Sequence, residues 1–154
     1  MEHTEKKYNF FRFEDLRIYR KALDYSKWVS DQSVSFEQGI PGDHFRLSFI
    51  KASLEIAMNI AEGSSRNKGQ FVYYLKMAKS SIRECIVLTT TALDYEYFSQ
   101  ETHDQSREFL IEISKMIGAL ISSLQRNRRS DSHDDSHNDT DDDNSMSFEN
   151  DFDN

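Results

Sequence analysis

Residues 71–92, FVYYLKMAKSSIRECIVLTTTA, contain the pattern that decides the fold. Apolar or small residues recur here at intervals that alternate between four and three: Phe71, Leu75, Ala78, Ile82, Cys85, Thr89 and Ala92. That spacing is typical of a seam between packed helices. The β-prone run at 86–91 lies inside the same repeat, so we predict one helix from about 68 to 98. Cys85 lies on the seam and is interpreted as a buried core residue.

Two helices are predicted before this one, at about 14–34 and 44–62. The segment 35–42 contains Gly39 and the pair Pro41-Gly42, so we interpret it as a loop. Asp43 is then the predicted N-cap of the second helix. Gly63 is predicted to end that helix in the left-handed conformation.

A fourth helix is predicted after a break near 99–103, again from apolar residues that alternate three and four apart. Its seam contains Leu110, Ile113, Ile117, Leu120 and Leu124. Short connections between four helices favour an all-α, up-down-up-down antiparallel four-helix bundle. We assign 1–12 to an N-terminal extension, 13–129 to the bundle, and 130–154 to a disordered acidic tail.

The second helix has an unusually wide apolar arc. One stripe contains Leu47, Ile50, Leu54, Ala57 and Ala61, and the adjacent stripe contains Phe45, Phe49, Ala52, Ile56 and Ile60. A bundle normally leaves one side of each helix in water. We therefore predict that the protein self-associates through this helix.

Charge divides the chain into a near-neutral body and an acidic tail. Residues 1–129 contain all 19 Lys and Arg against 17 Asp and Glu, whereas 130–154 contain 10 acids and no base. A near-neutral body is not typical of a nucleic-acid-binding domain as a whole, so any basic surface must be local. The solitary Cys85 and a polar N-terminal stretch favour a cytoplasmic protein with no membrane span.

No residue pattern indicates an enzyme, a metal site or a cofactor. The histidines of the body, His3, His44 and His103, have no partners at useful spacing. The paired Glu-x-x-His motifs of di-metal bundles do not occur. In the tail, three aspartates have calcium-loop spacing, but Asn144 stands where such a loop needs glycine.

A basic face is predicted on the third helix and its entry. It comprises Arg66, Lys68, Lys76, Lys79 and Arg83. Lys76, Lys79 and Arg83 are three and four residues apart, so they share one helix face that can follow phosphates. The alternative is a solvated face that balances nearby acids. Glu62 and Arg66 are predicted to pair at the end of the second helix, with Asn59 one turn earlier.

Two stretches resemble a known family: Phe11-Arg12-Phe13-Glu14-Asp15-Leu16, and Ile56 to Ser64, which contains the motif Asn59, Ile60, Ala61, Glu62 and Gly63. Together with Phe71, Leu75, Ala78, Ser81 and Glu84, they resemble the bacterial four helix bundle protein family over about residues 11–125. That family includes proteins encoded in intervening sequences of large-subunit ribosomal RNA genes, and the accessory variability protein of diversity-generating retroelements.

The resemblance implies a non-enzymatic bundle that assembles as a homopentamer. In the retroelement members it also implies binding to nucleic acid, RNA or DNA, and to a reverse transcriptase. The chain departs from the family pattern at Ile50 and Lys51, where members often have two arginines, so the resemblance implies a thinner basic surface here.

Two functions follow as hypotheses. The first is a non-enzymatic homo-oligomeric adaptor that binds nucleic acid, or an enzyme acting on it, through the basic face. The second is a structural or protein-interaction oligomer without a nucleic-acid role, in which the acidic tail folds back on basic patches or recruits a basic partner.

Overall fold

Four α-helices account for most of residues 10–131, the part of the chain that the computed structural model describes. They are α1 (Arg17–Gln32), α2 (Ile40–Ser64), α3 (Lys68–Asp94) and α4 (Gln100–Asp131). Short 3-10 turns, Arg12–Asp15 and Ser33–Ser35, flank α1. No strand occurs within these residues, so the all-α prediction is confirmed for them. The predicted tail, except for its first two residues, lies outside the described residues.

Side-chain contacts show that α1 and α4 run in opposite directions, because later residues of α1 meet earlier residues of α4. Lys21 of α1 forms an ion pair with Glu112 of α4 at 2.8 Å. Tyr25, one turn later in α1, is hydrogen-bonded to Ser106, which precedes Glu112 in α4. Ser26 of α1 meets Ser53 of α2, and Thr89 of α3 meets Ser106. These contacts are those expected for the antiparallel up-down-up-down arrangement.

The predicted seams form one apolar core. Its largest fully buried members include Tyr25, Phe49, Ile56, Ile60, Leu75, Leu110, Ile113 and Ile117. Cys85 is completely buried, as predicted. An aromatic cluster closes the core where α1 and α3 end: Trp28 and Phe36 both pack against Phe98, with ring centroids 5.9 and 5.6 Å apart.

Buried hydroxyl groups cross the middle of this core. The hydroxyl of Ser106 lies 2.9 Å from that of Tyr25 and 2.7 Å from that of Thr89, and Ser53 donates to Ser26 at 3.0 Å. We call these five residues the hydroxyl layer. Every buried side-chain nitrogen and oxygen in the described part of the chain has a hydrogen-bond partner. The layer therefore joins all four helices without an unsatisfied polar group.

The predicted start of α2 is wrong. The helix begins at Ile40 after Gly39, whose φ is 115°, so Pro41 and Gly42 lie in its first turn and Asp43 is not the N-cap. Proline suits this position because its missing N–H would have no helical partner there. A Cβ at Gly42 would stand 1.8 Å from the carbonyl oxygen of Glu37, so this close approach requires glycine.

The predicted role of Gly63 is also wrong. α2 continues through Ser64, and Gly63 is an ordinary helical residue packed closely against α3. α3 ends four residues earlier than predicted, at Asp94. The amides of Tyr97 and Phe98 turn back to the carbonyl of Ala92, which directs Phe98 into the core.

Candidate nucleic-acid interface

The sequence from Ser64 to Arg83 contains five bases and no acid, and the fold places it beside the last turns of α4. A groove runs between the two helices. We call it the basic groove; it is lined by Lys68, Val72, Tyr73, Lys76, Leu124 and Gln125. Asn67 caps the start of α3, where its side chain accepts a hydrogen bond from the Gln70 amide at 2.9 Å. This cap fixes the turn that positions Lys68.

The predicted basic residues do not all lie in the groove. Lys68 and Lys76 line it, whereas Lys79 is half-buried and Arg83 donates to Ser80 at 2.8 Å. Arg83 is exposed and lies seven residues, or two turns, beyond Lys76, so these two share the outer face of α3. The structure therefore divides the predicted set into two groove lysines and a short extension along the helix.

Arg66 belongs to a local structural pair. Its Nε donates to the carboxylate of Glu62 at 3.1 Å, a second guanidinium nitrogen contacts the same oxygen, and the group lies 5.6 Å from the ring centre of Tyr74. The hydrogen bond to Glu62 raises the pKa of Arg66 further. The predicted Glu62–Arg66 pair is confirmed. Asn59 is not part of it, because its amide donates to the backbone carbonyl of Glu55 at 2.9 Å.

The sequence indicated that the basic end of the fourth helix, which includes Arg126, either binds a ligand or suits the helix terminus, but it did not place Tyr73 or Arg126 beside the lysines of α3. Tyr73 is 60% exposed beside Lys68 and Lys76, so an aromatic ring stands among the cations. Arg126, which follows the groove residue Gln125, is exposed on the last turns of α4. The signal for Tyr73 was its place three residues before Lys76 on one helix, and the signal for Arg126 was the antiparallel order, which places the start of α3 next to the end of α4.

The groove lies in the more basic half of the bundle. The hydroxyl layer divides residues 10–127 into two ends: one end (10–25, 54–88 and 107–127) has 12 bases and 8 acids. The other end (26–53 and 89–106) has 3 bases and 7 acids. The near-neutral total therefore hides a charge asymmetry along the bundle, which attracts anions to the groove end.

A second exposed surface lies on the outer side of α2. Leu47, Leu54 and Met58 are 67, 39 and 64% exposed, and their spacing of seven and four places them on one stripe. Lys51 and Glu62 are exposed on the same side of the helix. We call Leu47, Leu54 and Met58 the α2 stripe. Of the ten residues in the apolar arc predicted for this helix, only Leu47 and Leu54 are exposed, so a single chain covers most of the arc and leaves a narrow stripe that Met58 extends.

The nucleophilic side chains of the core are held away from solvent. Burial raises the pKa of the Cys85 thiol to about 12 and raises that of Tyr25 well above its usual value. Within residues 10–131 no three His, Cys, Asp or Glu side chains are grouped to hold a metal ion. None of the helices described is both long and apolar enough to cross a membrane.

The chain is similar to a known protein family and to a solved structure. The model of the family described as 23S rRNA-intervening sequence protein matches residues 14–119. A crystal structure of a protein of unknown function from the S23 ribosomal protein family of Bacteroides thetaiotaomicron is similar, with a TM-score of 0.60 and 17% sequence identity. That similarity covers 68% of this chain and 97% of the other. No curated protein matches the chain.

Proposed function

Because the chain belongs to the 23S rRNA-intervening sequence protein family, we propose that it is a non-enzymatic, homo-oligomeric four-helix-bundle adaptor that binds nucleic acid through the basic groove. The observation that carries this proposal is the acid-free run from Ser64 to Arg83, because its residues between Lys68 and Lys76 line the groove together with Leu124 and Gln125 of α4. An enzyme that acts on the same nucleic acid is the protein partner that this role implies.

The charge of the groove supports phosphate binding. Lys68 and Lys76 line it, Arg126 adjoins it on α4, and Arg83 extends the same face of α3. Neutralising phosphates with Lys and Arg releases condensed counterions, which is the main source of sequence-independent affinity for nucleic acid. A surface with this few cations gives modest, salt-sensitive binding per subunit.

Tyr73 indicates which form of nucleic acid suits the groove. Its exposed ring stands between the lysines and meets the ring of Tyr74 edge-on, with centroids 5.5 Å apart. An exposed aromatic ring within a cationic groove stacks on unpaired bases, an interaction worth about 1–3 kcal/mol per base. Single-stranded RNA or DNA is therefore the proposed ligand.

The α2 stripe supports self-association. Its apolar residues have the spacing by which helices pack against one another, and Lys51 and Glu62 beside them supply charges of both signs. A second copy would bury the stripe against a different surface of its own, because a ring of more than two subunits requires unlike surfaces to meet. The resemblance to the four helix bundle family implies a ring of five, and several copies of a modest groove would add their affinities through multivalency.

The environment of the reactive side chains supports a binding role rather than catalysis. The Cys85 thiol is buried and its raised pKa disfavours the thiolate, which is the nucleophilic form. The hydroxyl groups of Thr89 and Ser106 bond to each other inside the core, where no substrate reaches them.

The test is fluorescence anisotropy of a labelled single-stranded oligonucleotide, as RNA and as DNA, titrated with the protein at several salt concentrations. Replacing Lys68→Gln together with Lys76→Gln should weaken binding about tenfold or more. It should also lower the slope of log affinity against log salt by roughly 1.4, about 0.7 for each lost phosphate contact.

The matched control removes two cations from other surfaces, with Lys27→Gln and Arg107→Gln. It should leave both the affinity and the salt slope nearly unchanged. The absence of binding to RNA and DNA even at about 20 mM salt, where phosphate contacts are strongest, would overturn the proposal.

A further inference from the structure

The last described helix ends at the basic groove. Leu124 and Gln125 line the groove, and α4 ends only six residues later at Asp131. Residues 132–154 therefore leave the bundle from its basic end. Asp131, to which this segment is joined, is separated from the acidic end by most of the length of α4.

The composition of residues 132–154 is complementary to the groove. These 23 residues contain nine Asp and Glu and no Lys or Arg. Their large apolar residues are Met146, Phe148 and Phe152. The groove presents lysines and also an apolar lining from Val72 and Leu124. The acids of the segment can therefore pair with the lysines, and its apolar residues can pack against the apolar lining.

We propose that residues 132–154 dock on the basic groove of their own chain, with their carboxylates on Lys68 and Lys76. The segment is long enough, because 23 extended residues span roughly 80 Å whereas α3 is about 40 Å long. Its attachment beside the groove gives it an effective concentration on the order of millimolar, so weak individual contacts are sufficient.

Docking has a regulatory consequence that rests on the proposed function. The segment and a nucleic acid present anionic groups to the same two lysines, so they compete for the groove. The segment then acts as an intramolecular mask that a strong or multivalent nucleic-acid ligand displaces. Docking itself does not depend on nucleic-acid binding and is tested separately.

The first experiment maps docking in the full chain with a zero-length carbodiimide reagent, which joins carboxylates to lysine amines in direct contact. We expect cross-links from the aspartates at 134–143 to Lys68 and Lys76, and their loss in 0.5 M salt. Lys27 and Lys115, which are outside the groove and not on the α2 stripe, serve as internal controls. Cross-links spread equally over all four lysines, or none, would overturn the proposal and leave the segment available to a basic partner.

The second experiment measures competition in the full-length protein. One variant replaces the nine acids of 132–154 with Asn and Gln, and its control keeps their composition in a shuffled order. The neutralised variant should bind a single-stranded oligonucleotide about tenfold more tightly than the native chain at low salt, and the shuffled control should match the native chain.

The two readouts separate the two proposals. Specific cross-links without oligonucleotide binding by any variant would retain docking and overturn the nucleic-acid function. Tighter binding by the neutralised variant without specific cross-links would overturn docking, because long-range repulsion alone then explains the effect. To assign docking to the same chain, cross-linking is repeated on an equal mixture of isotope-labelled and unlabelled protein. Links within a chain join only like-labelled peptides, so a statistical share of mixed pairs, about half, would contradict docking on the same chain.

Discussion

Gly63 of α2 lies directly against Tyr74 of α3, so closely that a Cβ built on the glycine would stand 2.6 Å from the Cβ of Tyr74. The same Cβ would be 2.9 Å from the ring of Phe71. This tight contact lies immediately before the turn that carries Arg66 and leads to Lys68. The packing of Gly63 therefore positions the entry to the basic groove.

Replacing Gly63→Ala should destabilise the protein by about 1–2 kcal/mol. The methyl group overpacks the contact with Tyr74 at a cost of about 1–3 kcal/mol, and the better helix propensity of alanine offsets part of it. Urea denaturation followed by circular dichroism measures the change.

Gly118→Ala is the matched control, because Gly118 is also helical but has nothing within 4 Å of its added Cβ. This change should stabilise the protein by roughly 0.5–1 kcal/mol, the usual helix preference for alanine over glycine. Equal effects of the two substitutions would contradict the close approach at Gly63.

Tyr25→Phe should cost about 1 kcal/mol of stability, because it removes the hydroxyl that bonds Ser106 in the core. Thr89 still bonds Ser106 in this variant, so no buried group loses all of its partners. Tyr73→Phe, at the exposed ring, should change the free energy of unfolding little. In a double-mutant cycle, a coupling near zero between Tyr25→Phe and Ser106→Ala would show that the bond contributes nothing.

The Cys85 thiol should make stability fall at alkaline pH. Burial raises its pKa from 9.0 to about 12, so the folded state holds the proton more tightly than the unfolded state. The resulting stability is complete below pH 9 and is lost between pH 9 and 12, by about 1 kcal/mol at pH 10. Urea unfolding at pH 7 and pH 10 measures the loss.

The Cys85→Ala variant isolates the effect of the thiol from that of other titrating groups. Between pH 7 and pH 10 this variant should lose less stability than the native protein, and the difference should equal the loss caused by the thiol. At pH 8 the native thiol should also resist a disulfide reagent until urea unfolds the chain, since the thiolate fraction is roughly one in ten thousand. Rapid labelling of the folded protein would show that Cys85 is accessible.

Met58→Glu should dissociate the proposed oligomer, because it places a charge on the α2 stripe where a second copy is expected to pack. Sedimentation equilibrium should then give a mass near the 18.1 kDa of one chain. Val34→Glu, at a residue that is 76% exposed outside α2, is the control and should leave the assembly intact. A native protein that is already monomeric at micromolar concentration would contradict self-association.

The sequence by itself determined the features that depend on short separations along the chain. The spacing of four and three between Phe71 and Ala92 specified a helix with one buried face, so α3, its seam and the burial of Cys85 were predicted correctly. The Glu62–Arg66 pair was predictable for the same reason, since residues four apart on a helix are neighbours in any fold. The wide apolar arc of α2 was also visible in its sequence.

Only the tertiary structure decided which residues of different helices meet. Gly42 lies in the first turn of α2 because a side chain there would collide with the carbonyl of Glu37, and Gly63 packs against Tyr74 instead of ending the helix. Tyr25 bonds Ser106, 81 residues away, and the end of α4 completes a groove begun by Lys68. Helix periodicity fixes the face that each helix buries, but the register between helices depends on how all four pack into one core.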